Sequence, residues 1–382
     1  MGGLCPRCRG RGWCGRDRCP FLDALNEVRA RLSSRNVDGY TVTAHVSWRG
    51  YPRVIAAPGV GEHRTPDEGG VLADLPYEEA LKTRALTFRR YRGKRDVRNP
   101  PDLSDPEIES SISVRPVEST LQVRRRLSGA SRTTPFIGPL VEGELELDGT
   151  PKVPRDLERY HEDDVKAEEA VVGLYRRGYD ESYIARALSL GLLGRDRRMV
   201  PTRWSVAAVD SMVSEHLARE VRDLPVSSEY RVLSGEVFGN EMWVILRPEP
   251  LSYELVEAYE PGAPWSDRTR IAVLRDSEVK DCKEPRETGG AYFAARLAAL
   301  EWCSELGKQH GITVIRIVRK EYSAPLGAWV IREAVRRAEE VFSTDDPREV
   351  WEFLREKLDD PVGEAALKVI KRGRQRTLDT FL

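Results

Sequence analysis

Gly289-Gly-Ala-Tyr-Phe-Ala-Ala-Arg-Leu-Ala-Ala-Leu-Glu-Trp-Cys-Ser-Glu-Leu-Gly-Lys-Gln-His-Gly-Ile-Thr-Val-Ile-Arg-Ile-Val318 decides the fold class. Its first part, rich in alanine and leucine, predicts a helix over Ala291–Lys308, and its β-branched end predicts a strand over Ile312–Val318. A further strand is expected before the helix, at Ile271–Leu274. Working outward, strand patterns fall at Tyr230–Val237 and Met242–Leu246. Helical patterns cover 161–175, 182–190 and 206–221. Toward the amino terminus a helical stripe spans Phe21–Leu32, and Tyr40–Val46 alternates as a half-buried strand, with Pro52–Ala57 as its neighbour. Pro58–Gly70 reads as a loop, Glu78–Tyr91 as a helix, and Ser111–Val114, Leu121–Val123 and Leu145–Leu147 as strands. The chain closes with helices over 327–342 and 347–370. No repeat period appears. Strands and helices mixed without regular alternation predict an α+β fold rather than a doubly wound sheet.

The 382 residues, 40% of them hydrophobic, suffice for more than one packed core. The expected organisation is a metal knuckle over 1–20, a basic α+β region over 21–150, an α+β region over 151–372 packed with it, and a tail over 373–382. No apolar run reaches the ~18–20 residues of a membrane span, and no secretory leader follows Met1. A cytoplasmic, nucleoid-associated protein with no membrane partner is therefore expected. The net charge of −1 hides an asymmetry. Residues 1–135 hold 24 Lys or Arg against 16 Asp or Glu, and residues 136–382 hold 37 against 46. The basic half suits a polyanion. Basic residues are 50 Arg and 11 Lys, while Gln and Asn are scarce, as in thermophiles; high Arg also follows from genomic base composition.

Four of six cysteines, Cys5, Cys8, Cys14 and Cys19, form a C-x2-C-x5-C-x4-C pattern. Four thiolates on short glycine-containing loops are a donor set for tetrahedral Zn2+. Disulfides are the alternative, disfavoured in a reducing compartment, and an iron–sulfur cluster is another. Five arginines and Trp13 interleave with the thiols, which suits either nucleic-acid contact or simple charge compensation. Residues 82–98, with eight Lys or Arg against one acid plus Phe88 and Tyr91, allow the same two readings.

Inside the globular part the signals are weaker. Thr288, Gly289 and Gly290 open a helix whose N–H groups suit a phosphate or an ordinary helix start. Ser131, Arg132 and Thr133, after Arg124–Arg126, form a hydroxyl-rich basic loop able to hold phosphate or merely to be solvated. Arg115 lies in Ser113-Val-Arg-Pro. Arg203 beside Trp204 is a candidate nucleotide contact, although Val200-Pro-Thr-Arg-Trp-Ser also reads as a turn with a Ser N-cap. His45 and His63 would serve as general base and acid of metal-independent phosphodiester chemistry if they converged. His161-Glu-Asp-Asp reads as acids in the first turn of a helix rather than as a metal site.

The chain ends Arg374-Gln-Arg-Thr-Leu-Asp-Thr-Phe-Leu382. Gly373 is expected to stop the preceding helix. Leu378 and Phe381, three apart, share one side of a 3₁₀ turn and form an apolar plug with Leu382, led by the polar anchor Gln375. This resembles the PIP box, Q-x-x-h-x-x-a-a, that docks on the sliding clamp PCNA, with Leu382 in place of the final aromatic. The four-cysteine knuckle and this tail together resemble the archaeal NreA family of DNA repair proteins. Ser113-Val-Arg-Pro-Val-Glu-Ser, Ser131-Arg-Thr-Thr-Pro, Val200-Pro-Thr-Arg-Trp-Ser and Gly289-Gly-Ala-Tyr-Phe-Ala-Ala-Arg resemble it too. The resemblance implies DNA damage repair with PCNA and DNA as partners, zinc at the four cysteines, and clamp contacts at Gln375, Leu378, Phe381 and Leu382. The alternative from the residues is a phosphodiesterase or nucleotide-binding enzyme delivered to DNA by the clamp.

Overall fold

The computed structural model describes residues 19–31, 35–62, 64, 69–127, 138–266, 269–278 and 287–379. They form an α+β fold in two compact units, one of residues 19–213 with 324–329, the other of 214–323 with 330–379. Residue 150, the boundary read from the sequence, lies in the turn after a strand ending at Asp148.

The first unit starts with α1 (Pro20–Arg31) and is built on a closed five-stranded barrel. Its strands are β1 (Asn36–Val46), β3 (Ala56–Gly61), β4 (Phe88–Arg90), β6 (Glu118–Arg126) and β7 (Leu140–Asp148), with the short pair β2 (Arg53–Val54) and β5 (Arg95–Asp96) beside it. Between them come α2 (Gly70–Ala73), α3 (Tyr77–Ala85) and α4 (Pro106–Ser111). Round the barrel the order is β1-β3-β4-β7-β6 and back to β1, every pair antiparallel except β4 with β7. Counting only barrel strands, the order is 1-2-3-5-4-1, with strands 3 and 5 parallel and α4 between strands 3 and 4. That is the Greek-key order of the OB barrel. Val42, Val60, Phe88, Leu121 and Val141 are buried, and Ile108 and Ile112 from α4 and its end are buried too. The unit continues through α5 (Arg155–Glu162), α6 (Ala167–Arg176), α7 (Glu181–Ser189) and the first half of α8 (Thr202–Arg222).

Closing so small a barrel brings backbones together, and Pro58–Gly61, the start of the expected Pro58–Gly70 loop, is strand instead. A Cβ at Gly39 would run into the Gly61 carbonyl oxygen, and one at Gly59 would lie 2.9 Å from Val42. The glycines mark close strand approach, not a turn. The expected helix Glu78–Tyr91 ends at Ala85, because Phe88 is drawn into the barrel opposite Val60. Ser111–Val114 is not a strand. Asp105 accepts from the Glu107 N–H and Pro106 sits at the first helical position, so a helix fills 106–111. The expected helix 161–175 is two, broken where Asp163 turns extended after α5. His161-Glu-Asp-Asp therefore ends a helix instead of opening one. Likewise α8 begins at Thr202, so Ser205 is not its cap; the Ser205 hydroxyl donates to the Thr202 carbonyl.

The second unit is a six-stranded sheet in the order β11-β10-β12-β9-β8-β13. Its elements are β8 (Tyr230–Val237), β9 (Asn240–Arg247), β10 (Ser252–Tyr259), β11 (Ala272–Ser277), α9 (Gly290–Leu306), β12 (Gly311–Val318), α10 (Trp329–Arg336), β13 (Glu339–Thr344), α11 (Pro347–Lys357) and α12 (Pro361–Asp379). Only β10 and β12 run parallel. All eight residues of β12 are buried, as expected for a central strand covered on both faces. Ile315 and Ile317 pack with Val350 and Leu354 of α11 and Ala366 and Ile370 of α12. On the face that carries Tyr253, the phenol donates to the Tyr292 carbonyl of α9. Each fully buried Ile or Val contributes about 1.5–3 kcal/mol, so β12 anchors this core.

Strand β10 escapes a hydrophobicity reading because it buries two acids. Glu254 meets Arg275 at 2.7 Å, and Glu257 meets Arg316. Helix-favouring glutamates likewise disguise Glu339–Thr344, an edge strand that takes over the end of the expected helix 327–342. The expected helix 347–370 is two, α11 and α12, and α12 runs through Gly373 to Asp379 instead of stopping there. No helix among the described residues is long and apolar enough to cross a membrane.

Candidate nucleic-acid interface

The loop between the first two barrel strands begins where β1 leaves the barrel. Ser47 holds it, its N–H donating to the Ile55 carbonyl at 2.9 Å and its hydroxyl accepting from the Ile55 N–H at 3.0 Å. Gly50 takes φ 89°, a left-handed conformation that suits glycine. The tight turn pushes Trp48, Arg49 and Tyr51 outward. From below, the Val97 N–H donates to the Pro52 carbonyl, and β2 pairs with β5.

The first turn of α8 is fastened to the same place. The Val46 N–H donates to the Thr202 hydroxyl at 2.9 Å, and the Ser189 hydroxyl donates to the Val200 carbonyl at 2.8 Å. Arg203 and Trp204 are thereby set against the loop. The Tyr51 and Trp204 ring centroids are 5.3 Å apart, edge to face. The Arg203 guanidinium lies 5.3 Å from the Trp48 ring centroid, and Arg49 lies 5.6 Å from it.

Trp48, Tyr51 and Trp204 are 41%, 54% and 43% exposed, and no other aromatic side chain among the described residues is exposed. Three such rings gathered in one patch need a reason, because large aromatics bury well. Arg49 and Arg203 make no ion pair among the described residues. Lys94 and Arg95 are also exposed nearby, Lys94 Nζ lying 4.0 Å from where a Gly50 Cβ would stand. Asp96, opposite Arg53 in the β2–β5 pair, is turned to Arg98, whose hydrogen bonds hold its carboxyl below the usual range. The patch is cationic and aromatic, able to stack bases and to meet phosphates.

Many of the remaining basic residues among the described ones are internally paired. Lys82 meets Glu27 at 2.7 Å, Arg90 meets Glu107 at 2.8 Å, and Arg92 pairs with Asp105. Arg124 and Arg125 pair with Glu144 and Glu142 across β6 and β7. The last two pairs draw on acids beyond residue 135, so the basic excess counted over 1–135 overstates the free charge by two.

The other sequence candidates scatter. Arg115 is exposed in the turn before β6, its carbonyl accepting from the Ser113 hydroxyl at 2.6 Å. His45 sits on β1 opposite Ala57, half-buried beside a bulge. His63, Ser131, Arg132 and Thr133 lie outside the described residues, so no convergence of the two histidines is observed. In the sheet unit the start of α9 is already served. The Thr288 N–H and hydroxyl both donate to Asp276 at 2.7 Å, and the Glu287 N–H donates there at 3.0 Å. Gly289 and Gly290 follow this carboxylate-bound turn, so the Thr288 donors counted for phosphate already serve Asp276. His161 is held by the Leu192 carbonyl and Arg197.

Cys5, Cys8 and Cys14 lie outside the described residues. Cys19 starts α1, its carbonyl accepting from Leu22 and Asp23. No group of three metal-ligating side chains occurs among the described residues. Gln375 and Leu378 lie on the α12 backbone, their side chains outside the described residues together with Phe381 and Leu382.

The sequence singled out Arg203 but not its partners across the loop. The visible signal was the repeated Trp-Arg pairing, at Trp48-Arg49 and Arg203-Trp204.

Comparison with known proteins assigns the family. Residues 13–266 match the family described as archaeal Nre, N-terminal, and residues 277–381 match archaeal Nre, C-terminal. The chain belongs to the archaeal Nre family. It is 32% identical over 360 residues to the DNA repair protein NreA of Archaeoglobus fulgidus, covering 90% of this chain and 91% of that one. It is 30% identical over 395 residues to DNA repair protein NreB of the same organism, covering 99% and 100%. It is also 36% identical over 233 residues to NreA of Haloferax volcanii, covering 57% and 55%. No solved structure matches.

Proposed function

We propose that this chain is a DNA repair factor that holds single-stranded DNA on the Trp48–Tyr51–Trp204 patch and docks on the PCNA sliding clamp through its carboxyl end. The repair role is supported by relatives named as DNA repair proteins that align over nearly the whole chain. The observation that carries the DNA contact is the patch itself, exposed aromatic rings flanked by arginines that make no ion pair among the described residues. It occupies the loop after the first strand of an OB-ordered barrel, a loop by which such barrels grip oligonucleotides. Stacking suits a single strand, whose bases are free, rather than a duplex, whose bases are stacked on each other.

Clamp docking is supported by the spacing of Gln375, Leu378, Phe381 and Leu382. Zinc is supported by the donor set of Cys5, Cys8, Cys14 and Cys19, four soft thiolates within a short segment. The metal would supply a rigid fold for an arginine-rich knuckle, and about one zinc per chain is expected by elemental analysis, lost in Cys8→Ala.

The test of the DNA reading is fluorescence anisotropy with a labelled strand of about 20 nucleotides, long enough to fill one OB site, and with its duplex. Tighter binding to the single strand is expected. Equal or tighter binding to duplex, or no binding, would remove the proposal.

A further inference from the structure

A second site lies elsewhere on the barrel unit. A cavity of about 230 Å³ opens between β1, the turn after α4 and the start of α7, lined among others by Thr43, Ser113, Tyr179, Asp180, Tyr183 and Arg186. It is below the ~300–1,000 Å³ of drug-sized pockets yet several times the ~30 Å³ of a single water. It suits a small polar group.

Its polar lining divides into groups already bonded and groups that are not. The Ser110 and Ser111 hydroxyls donate to the Glu107 carbonyl at 2.9 and 2.8 Å, and Ser113 donates to that of Arg115. The Tyr179 phenol donates to Asp156 at 3.1 Å. Asp180 caps α7 by accepting from the Ser182 N–H at 2.7 Å. Against these, the Thr43 hydroxyl, the Tyr183 phenol and Arg186 Nε are buried and have no hydrogen-bond partner among the described residues. Thr43 is 4% exposed and Tyr183 is 5% exposed. The three orphaned atoms belong to residues that line this one cavity, and such atoms are costly and rarely kept without use.

The chemistry of the three is complementary to an anion. Arg186 Nε only donates, and its guanidinium, 5.0 Å from the Tyr183 ring, makes no ion pair among the described residues. Burial pushes the Tyr183 phenol up, so it keeps its proton. The Thr43 hydroxyl rotates to donate. From this geometry we infer that the cavity binds a phosphate group, its oxygens taking hydrogen bonds from Thr43, Tyr183 and Arg186. The phosphate belongs either to a free nucleotide or to the end of a DNA strand. The inference stands on the cavity and not on the aromatic patch.

The test uses the full chain and three probes in turn, namely inorganic phosphate, a 5′-nucleoside monophosphate and a 5′-phosphorylated oligonucleotide with its unphosphorylated twin. Binding is followed by calorimetry and by the shift in melting temperature. At least one phosphate-bearing probe should bind, and the isosteric variants Thr43→Val and Tyr183→Phe should each weaken it about tenfold, the scale of one hydrogen bond to a charged group. Binding of phosphate or the mononucleotide points to a small-molecule ligand. Preference for the phosphorylated oligonucleotide alone points to a strand end, and that preference should persist in Trp48→Ala. A second reading guards against misfolding. Without ligand, Tyr183→Phe should melt no lower than the wild type, because the removed hydroxyl had no partner. No binding of any probe by the wild type, wild-type affinity in both variants, or a marked fall in melting temperature for Tyr183→Phe would each overturn the inference, the last by showing a structural hydroxyl.

Discussion

Tyr51 and Trp204 meet edge to face, ring centroids 5.3 Å apart and planes at 63°, one on a barrel loop and the other in the first turn of α8. Both rings remain about half exposed, so their contact braces a surface and fills no core. A ring already held in place loses little entropy when a base stacks on it. Tyr51→Ala and Trp204→Ala should each cost about 1–3 kcal/mol in single-strand affinity, roughly tenfold or more, with stability nearly unchanged. Because the rings touch, their effects should not add, and a double-mutant cycle measures that coupling. Wild-type affinity in both variants would show that the patch does not hold DNA.

The arginines over Trp48 make a separate expectation. Arg49 and Arg203 lack acidic partners among the described residues, so phosphates are their natural counterions. Replacing either with Gln should lower the slope of log affinity against log salt by about 0.7 for a single strand. Measurement between about 50 and 200 mM salt resolves this. An unchanged slope with reduced affinity would assign them to bracing Trp48 instead.

The fold was legible where hydrophobic period and propensity agreed. Tyr230–Val237 and the pair α9–β12 read directly, because β-branched runs and an alanine-rich helix leave little ambiguity. It was illegible where tertiary pairing cancels a charge. Glu254 and Glu257 conceal β10 until Arg275, from the next strand, and Arg316, from one much further along the chain, are seen beside them. The barrel was hidden by its own glycines, which read as a loop although they serve close packing. For the patch, Arg203 and Trp204 were visible as a pair, but their neighbours depend on Thr202 binding the end of β1, which no local pattern encodes. The three orphaned atoms of the cavity are ordinary residues in sequence, distinguished only by what fails to reach them.

The pair Glu257 and Arg316 is almost wholly enclosed, with side chains 2% and 4% exposed. Asn240 accepts from Arg316 at 2.6 and 3.0 Å, and the Tyr259 phenol donates to Glu257 at 2.8 Å. Such a pair adds little over an apolar pair, yet breaking it strands a buried charge. Glu257→Gln should destabilise the sheet unit by about 3–5 kcal/mol, read from the urea midpoint. The double variant Glu257→Gln, Arg316→Met should recover part of that loss. A single variant within about 0.5 kcal/mol of wild type, the range of a surface change, would mean that the arginine escapes to water.

His310 supplies a pH dependence. It is 1% exposed before β12, its Nδ1 has no partner among the described residues, and burial lowers its pKa from 6.5 to about 4. Between those values the unfolded chain takes a proton that the folded chain refuses, so stability falls as pH drops from 6.5 toward 4. At about 1.36 kcal/mol per unit the full loss is on the order of 3 kcal/mol. His310→Asn, which does not titrate, should flatten the decline in urea midpoint between about pH 6.5 and 5, above the ordinary carboxylate range. The same decline in that variant would assign it to other groups.

The carboxyl end is testable without disturbing the core. Among the described side chains of α12 the buried ones are Val362, Ala366, Leu367 and Ile370, all before Gly373. Deleting residues 375–382 therefore removes none of them, and the urea midpoint should stay within about 0.5 kcal/mol of the full chain. Clamp binding should nonetheless disappear, because an aromatic anchor and its apolar neighbours carry most of the energy of so short a contact. Phe381→Ala should cost 2 kcal/mol or more, about 30-fold, in affinity for PCNA, measured by calorimetry with the purified clamp. Gln375→Ala should cost less, as one polar anchor does. Undiminished binding by the truncated chain would move the clamp contact elsewhere, and a lowered midpoint would show that the last turns of α12 support the sheet unit.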